Sequence, residues 1–139
     1  MWDVQLFKIN YDQKERNAIN NVLDSGWIAG GANINLFEKE LEKILENRKT
    51  LTVSNCTNSL DLALKVAKIK KNDEVIISSC TFVSDINVVI ANNAKPVLAD
   101  VSSRTNMNSS YSSIASLVSN KTKAIIYTQY GGSVSHEIM

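Results

Sequence analysis

A chain of 139 residues is long enough for one domain built on a single apolar core. Its 44% hydrophobic and 21% charged content is that of a soluble globular protein and argues against disorder. A net charge of +1 provides no basic footprint for nucleic acid and no acidic tail, so any partner has to be argued from local sites.

In chain order, Asp12 followed by Glu15 reads as a capping box, and Ala18, Ile19, Val22 and Leu23 give the helix behind it an apolar face. Gly26 stands where a left-handed C-terminal residue belongs. Asn35 and Glu38 repeat the cap pattern before a second helix, whose Phe37, Leu41, Ile44 and Leu45 fall at helical spacing. Thr50-Leu51-Thr52-Val53 reads as the first strand. A helix over 57–67 follows, with Leu60, Leu64 and Ala67 on one side and Leu62 and Val66 widening the buried face. Val75-Ile76-Ile77 is the second strand, 84–91 a short and nearly all-apolar helix, and Pro96-Val97-Leu98-Ala99 the third strand. A helix over 112–118 and a fourth strand, Ala124-Ile125-Ile126-Tyr127, complete the series, with Gly131 and Gly132 turning the chain tightly afterwards.

Short β-branched runs alternating with helical segments predict an α/β fold, three-layered around a mostly parallel sheet. Residues 1–48 form a helical N-terminal segment in this reading, and 49–139 form βαβ units. Ligands of such sheets gather beyond the C-terminal ends of the strands. The stretches to inspect are therefore 54–59, 78–84, 100–105 and 128–132.

Several chemistries are excluded. The first ten residues contain Asp3 and Lys8 and lack a long apolar run, and the most apolar later stretch, 83–91, contains Asp85 and is too short to span a bilayer. No membrane partner is expected, and the cytoplasm is the expected compartment. Asn-X-Ser/Thr triplets at Asn55, Asn108 and Asn120 are then chance occurrences in an Asn- and Ser-rich chain. Cys56 and Cys80 match neither a disulfide framework nor a zinc pattern. The single histidine, His136, rules out a His-rich metal site and has no nucleophile motif to serve. Asp100 reads as a turn residue bonding backbone near Ser102 and Ser103, and Lys121 and Lys123 as solvated flanks of a strand.

The segment Ser54-Asn55-Cys56-Thr57-Asn58-Ser59-Leu60 follows a strand and opens a helix. Backbone N–H groups at a helix start suit a phosphate, while local chemistry alone favours an ordinary N-cap at Ser54, Asn55 or Thr57. The segment is neither a P-loop nor a dinucleotide fingerprint.

With Ser25-Gly26-Trp27-Ile28, Gly30-Gly31 and Phe37-Glu38 before it, this segment resembles the nucleotide-sugar aminotransferases of the DegT/StrS type. Asn72-Asp73-Glu74-Val75-Ile76, Thr81-Phe82-Val83-Ser84, Lys95-Pro96-Val97, Asp100-Val101 and Lys121-Thr122-Lys123-Ala124-Ile125-Ile126 extend the resemblance in the family's order over nearly the whole chain. The resemblance implies the N-terminal part of a fold-type I large domain that binds pyridoxal 5'-phosphate (PLP). It also implies transfer of an amino group from glutamate to a keto-sugar nucleotide, in cell-surface polysaccharide or related amino-sugar synthesis. A homodimer is implied because the family's active sites sit between subunits.

Residue by residue, Cys56 and Thr57 match the turn that holds the PLP phosphate, and Phe82 matches the aromatic that stacks on the pyridine ring. Cys56 replaces a glycine, which is tolerable only if its φ is negative. Trp27 lies in a loop near the family's active-site mouth, as a contact for sugar or base or as packing at a dimer interface. The lysine that carries the cofactor and the carboxylate facing its ring nitrogen lie further along in the family, and none of the twelve lysines here matches. The chain is thus expected to be truncated and inactive alone, with no catalytic residue of its own. Thr50–Val53 is expected to lack sheet neighbours, leaving its backbone groups unpaired. The alternative is a non-catalytic α/β binding or interaction module derived from the same fold.

Overall fold

Three of the four apolar runs become strands, because each finds a neighbour to pair with. The computed structural model describes residues 8–134. The element order is α1 (Gln13–Asp24), α2 (Ala32–Ile44), α3 (Cys56–Val66), β1 (Glu74–Ser78), α4 (Val83–Ala91), β2 (Lys95–Ala99), α5 (Tyr111–Leu117) and β3 (Thr122–Ile126), then a 3-10 turn at Tyr130–Gly132. The sheet order is β2-β1-β3, all parallel. Ile76 lies opposite Val97 on one side and Ile125 on the other. The β1–β3 ladder slips once, between Glu74 and Val75, so Lys123 has no partner residue.

The central strand explains its own composition. Val75, Ile76 and Ile77 are fully buried. Val75 and Ile77 pack with Leu64, Val88, Val89 and Ala94 on the face covered by α3 and α4. Ile76 packs with Ala99 and Ile114 on the face covered by α5. A continuous β-branched run is what a strand covered on both faces requires. Helices on both sides of one sheet give the three layers expected from the sequence. Leu64 is the one fully buried residue of α3, whereas Val66 is 74% exposed, so the buried face of that helix is narrower than its periodicity suggested.

The chain divides between Thr52 and Val53 into two compact units. In the first, α1 begins as read: Asp12 Oδ1 accepts from Lys14 N–H at 2.6 Å, and Glu15 Oε2 accepts from Asp12 N–H at 2.7 Å. Gly26 ends the helix with φ +71°. The apolar stripe of α1 exists but is not buried: Ile19 and Leu23 are exposed, and neither α1 nor α2 contains a buried residue.

Two expectations are corrected. Asn35 is not a cap. The backbone is already extended at Gly31, and Asn35 N–H donates to the Gly31 carbonyl at 3.1 Å, so α2 starts one turn earlier. Glu38 therefore closes no capping box. Its Oε1 accepts from the Thr52 N–H at 2.7 Å and the Thr52 hydroxyl at 2.8 Å, and those two bonds hold its carboxyl below the usual glutamate range.

Thr50–Val53 is the second correction: it is not a strand among the described residues. With no ladder to join, two of its N–H groups turn to carboxylates, Thr52 to Glu38 and Thr50 to Glu42 Oε1 at 3.4 Å. Its amides are thus less orphaned than expected, since side chains supply acceptors that a neighbouring strand does not.

Candidate cofactor-binding site

The C-terminal ends of β1 and β3 and the start of α3 carry the candidate residues of the second unit. Asn55, extended at φ −165° and ψ 168°, is the N-cap of α3, and its Oδ1 accepts from Asn58 N–H at 2.9 Å. Ser59 N–H donates to the Asn55 carbonyl. That leaves the N–H groups of Cys56 and Thr57, the first two helical positions, without an acceptor among the described residues. Both residues are exposed, and the first turn of α3 contains no acid. Two free donors at the positive end of a helix, with a hydroxyl beside them, fit a phosphate.

Cys56 is the first residue of the helix and is absent from the positive-φ positions. The turn therefore does not need glycine at Cys56. Both cysteines are free thiols.

Thr57 also lines a shallow groove of about 320 Å³ between α3 and α4, with Asn58, Asp61, Lys65 and Asn87. Lys65 Nζ reaches Asp61 at 2.6 Å, and Asn92 Nδ2 donates to the same carboxylate at 2.7 Å. These contacts hold Asp61 below the ordinary carboxylate range, the lysine being the larger cause.

Phe82 precedes α4 as its N-cap, extended at φ −83° and ψ 142°, and caps with no side-chain hydrogen bond. It is 71% exposed. Phe82 is outside the core of the described residues, and its aromatic face stands at the edge where ligands of parallel sheets bind.

Trp27 belongs to the first unit and is described by itself. Its indole folds back on the loop, with Nε1 donating to the Gly30 carbonyl at 3.0 Å. A Cβ on Gly31 would come within 2.9 Å of Nε1, so glycine there is a condition of the indole's seat. Most of Trp27 remains exposed.

One feature escaped the sequence reading. Asp85, in the first turn of α4, is 7% exposed, and its Oδ2 accepts from the hydroxyls of Thr81 and Thr128. The available signal was a lone acid in an otherwise apolar helix, which sequence reasoning used only to argue against a membrane span. Asp100 is nearer to expectation but displaced: its Oδ1 accepts from Val101 N–H, while Ser102 N–H donates to the Asn108 carbonyl instead. Asn108 is buried, its amide donating to the Ser133 carbonyl at 2.8 Å and accepting from Tyr130 N–H at 2.7 Å, which removes it as an acceptor for glycosylation. Gly131 and Gly132 have φ +63° and +75°, as the tight turn requires. His136 lies outside the described residues. Among the described residues no group of acids, cysteines or histidines could hold a metal, and no helix is long and apolar enough to cross a membrane.

Comparison with known proteins decides among the readings of this fold. The model of the DegT/DnrJ/EryC1/StrS aminotransferase family matches residues 10–138. The chain belongs to that family.

Among its relatives, the spore coat polysaccharide biosynthesis protein SpsC of Bacillus subtilis is 35% identical over 120 residues, covering 86% of this chain and 31% of the relative. GDP-perosamine synthase of Vibrio cholerae is 32% identical over 124 residues, covering 88% and 34%. Spr1654 of Streptococcus pneumoniae, named as a sugar aminotransferase and solved in PLP and PMP forms, has the same fold. Its TM-score is 0.87 at 24% identity, over 97% of this chain and 34% of that one. The chain spans about a third of the length of the relatives it matches. PLP is the cofactor of this family. The free N–H groups of Cys56 and Thr57 and the exposed ring of Phe82 fit it, the first pair as donors for its phosphate and the third as a stacking face.

Proposed function

We propose that this chain supplies the phosphate- and ring-binding part of a PLP-dependent aminotransferase acting on a keto-sugar nucleotide. Glutamate is the amino donor in this reading, the assembly is a homodimer, and the compartment is the cytoplasm. The observation that carries it is the family match over residues 10–138, combined with N–H donors at Cys56 and Thr57 that meet no acceptor among the described residues, in the segment that resembles the family's phosphate turn. The polysaccharide and perosamine names of the two relatives support a sugar substrate.

Bound PLP supplies an electron sink that lets an amino group pass between donor and acceptor. The residues of this chain bind and orient. Cys56 and Thr57 donate their N–H groups, and Thr57 its hydroxyl, to the phosphate, where the positive end of α3 favours a dianion. Phe82 covers one face of the ring and keeps water from it. Trp27, with most of its indole exposed, offers a flat amphipathic surface to sugar or base.

The test uses the full-length gene product. PLP should remain bound through gel filtration, and 2-oxoglutarate should form from glutamate beyond one equivalent per bound PLP only when a keto-sugar nucleotide is present. A product that retains no PLP refutes the proposal and favours a binding module that kept the fold without the chemistry.

A further inference from the structure

An exposed aromatic has little packing to hold it, so the direction of the Phe82 ring has to be set through its backbone. The residues on either side supply that grip. Before it, the Thr81 hydroxyl donates to Asp85 Oδ2. After it, Asp85 N–H donates to the Phe82 carbonyl at 3.1 Å.

The same Oδ2 accepts from the Thr128 hydroxyl at 2.9 Å, and the two threonine hydroxyls lie 2.7 Å apart. Thr128 N–H in turn reaches Ser78 Oγ at 3.3 Å. One carboxylate therefore fastens three segments where the strands end: the turn after β1, the first turn of α4 and the second residue after β3. Burying a carboxylate is costly unless donors meet it. Here two hydroxyls and the positive end of α4 do so. An apolar side chain would suit the rest of this helix, and what the acid adds is direction.

We propose that Asp85 is a positioning residue for the cofactor ring, its carboxylate fixing through the Thr81 and Thr128 hydroxyls the turn from which the Phe82 ring meets the pyridine. The inference rests on the cofactor reading above, and its test separates the two. In the full-length gene product, the PLP dissociation constant and the induced circular dichroism of bound PLP are measured for wild type, Phe82→Leu, Asp85→Ser, the double variant, Thr128→Val and Asp85→Asn. Phe82→Leu should weaken PLP binding about fivefold to tenfold, the worth of one aromatic stack. Asp85→Ser should weaken it about fivefold and diminish the dichroism, but by less than about twofold in the Phe82→Leu background, where no ring remains to be aimed. Thr128→Val, which keeps volume, should alter the dichroism in the same sense, and Asp85→Asn should restore most of the wild-type signal.

Should Asp85→Ser fail to fold, Thr128→Val and Asp85→Asn still decide the matter. Wild-type affinity and dichroism in both Asp85→Ser and Thr128→Val, with binding weakened in Phe82→Leu, overturn the inference alone. Effects of Asp85→Ser and Phe82→Leu that simply multiply overturn it too. A wild-type protein that binds no PLP, or a Phe82→Leu variant with unchanged affinity, overturns the cofactor reading and the inference with it.

Discussion

Replacing Asn55 separates two roles that its side chain combines. Its Oδ1 accepts from Asn58 N–H and so caps α3, while the neighbouring N–H groups of Cys56 and Thr57 are left free for an anion. Asn55→Ala removes the cap and should cost about 1 kcal/mol of stability and lower Tm. Asn55→Asp retains an equally good cap, and its charge suits the helix start, so Tm without ligand should match wild type to within about 1 °C. The new carboxylate, however, stands beside the phosphate site. Unit charges about 4 Å apart repel by about 1 kcal/mol even at the dielectric constant of water. A phosphate of roughly two charges should therefore lose about 2 kcal/mol, or more than about tenfold in affinity. Thermal melts with and without PLP, together with PLP titration of the full-length gene product, read both quantities. Wild-type PLP affinity in Asn55→Asp would falsify the assignment of the phosphate to this turn. Equal losses of affinity in the alanine and aspartate variants would assign the effect to helix fraying instead.

The central strand should dominate stability: Ile76→Ala, at a fully buried position, should cost about 3 kcal/mol in denaturant unfolding, whereas Ile90→Ala, at a position 56% exposed, should cost less than about 1 kcal/mol. Glu38 should make stability depend on acid. Its folded pKa lies below its unfolded one because of Thr52, so its contribution is complete above the unfolded value and disappears as pH falls through the folded one. The difference in Tm between wild type and Glu38→Gln should therefore shrink steadily from about pH 6 to about pH 3, and a constant difference would contradict it. Gly31→Ala should displace the indole of Trp27, breaking its bond to the Gly30 carbonyl, and red-shift tryptophan emission with little loss of stability. An unchanged spectrum would show that the loop can yield without moving the ring.

What could be read in the sequence depended on the range of the interaction. Val75-Ile76-Ile77 declared a strand covered on both faces because that burial leaves its mark within three residues. The cap at Asp12 and the glycine at 26 are equally local, and both stand as read. Thr50–Val53 has the composition of a strand, but composition expresses only a preference, and a strand exists through its neighbour. Glu38 was misread because its real partner, Thr52, lies 14 residues on. Asp85 went unassigned because Thr128 is 43 residues away and only the sheet brings the two together. The candidate residues Cys56, Thr57 and Phe82 came from family resemblance. The structure contributes physical properties for them: negative φ at the first, N–H donors without an acceptor among the described residues at the first two, and exposure at the third.

The strand order β2-β1-β3 also sets a schedule. β1 can pair with β2 as soon as one short helix has been made, whereas its other ladder waits for β3, with Ile77 and its partner Ile126 about 50 residues apart. Ribosomes add about 5–20 residues per second, so β1 passes roughly 3–10 s as a nascent apolar strand with one edge open. Closing the longer loop adds little to the equilibrium cost, since that cost grows only with the logarithm of length. The exposure is one of time. For those seconds the most apolar of the described strands can pair with another copy of itself, and faster synthesis or chaperone cover should raise the soluble yield.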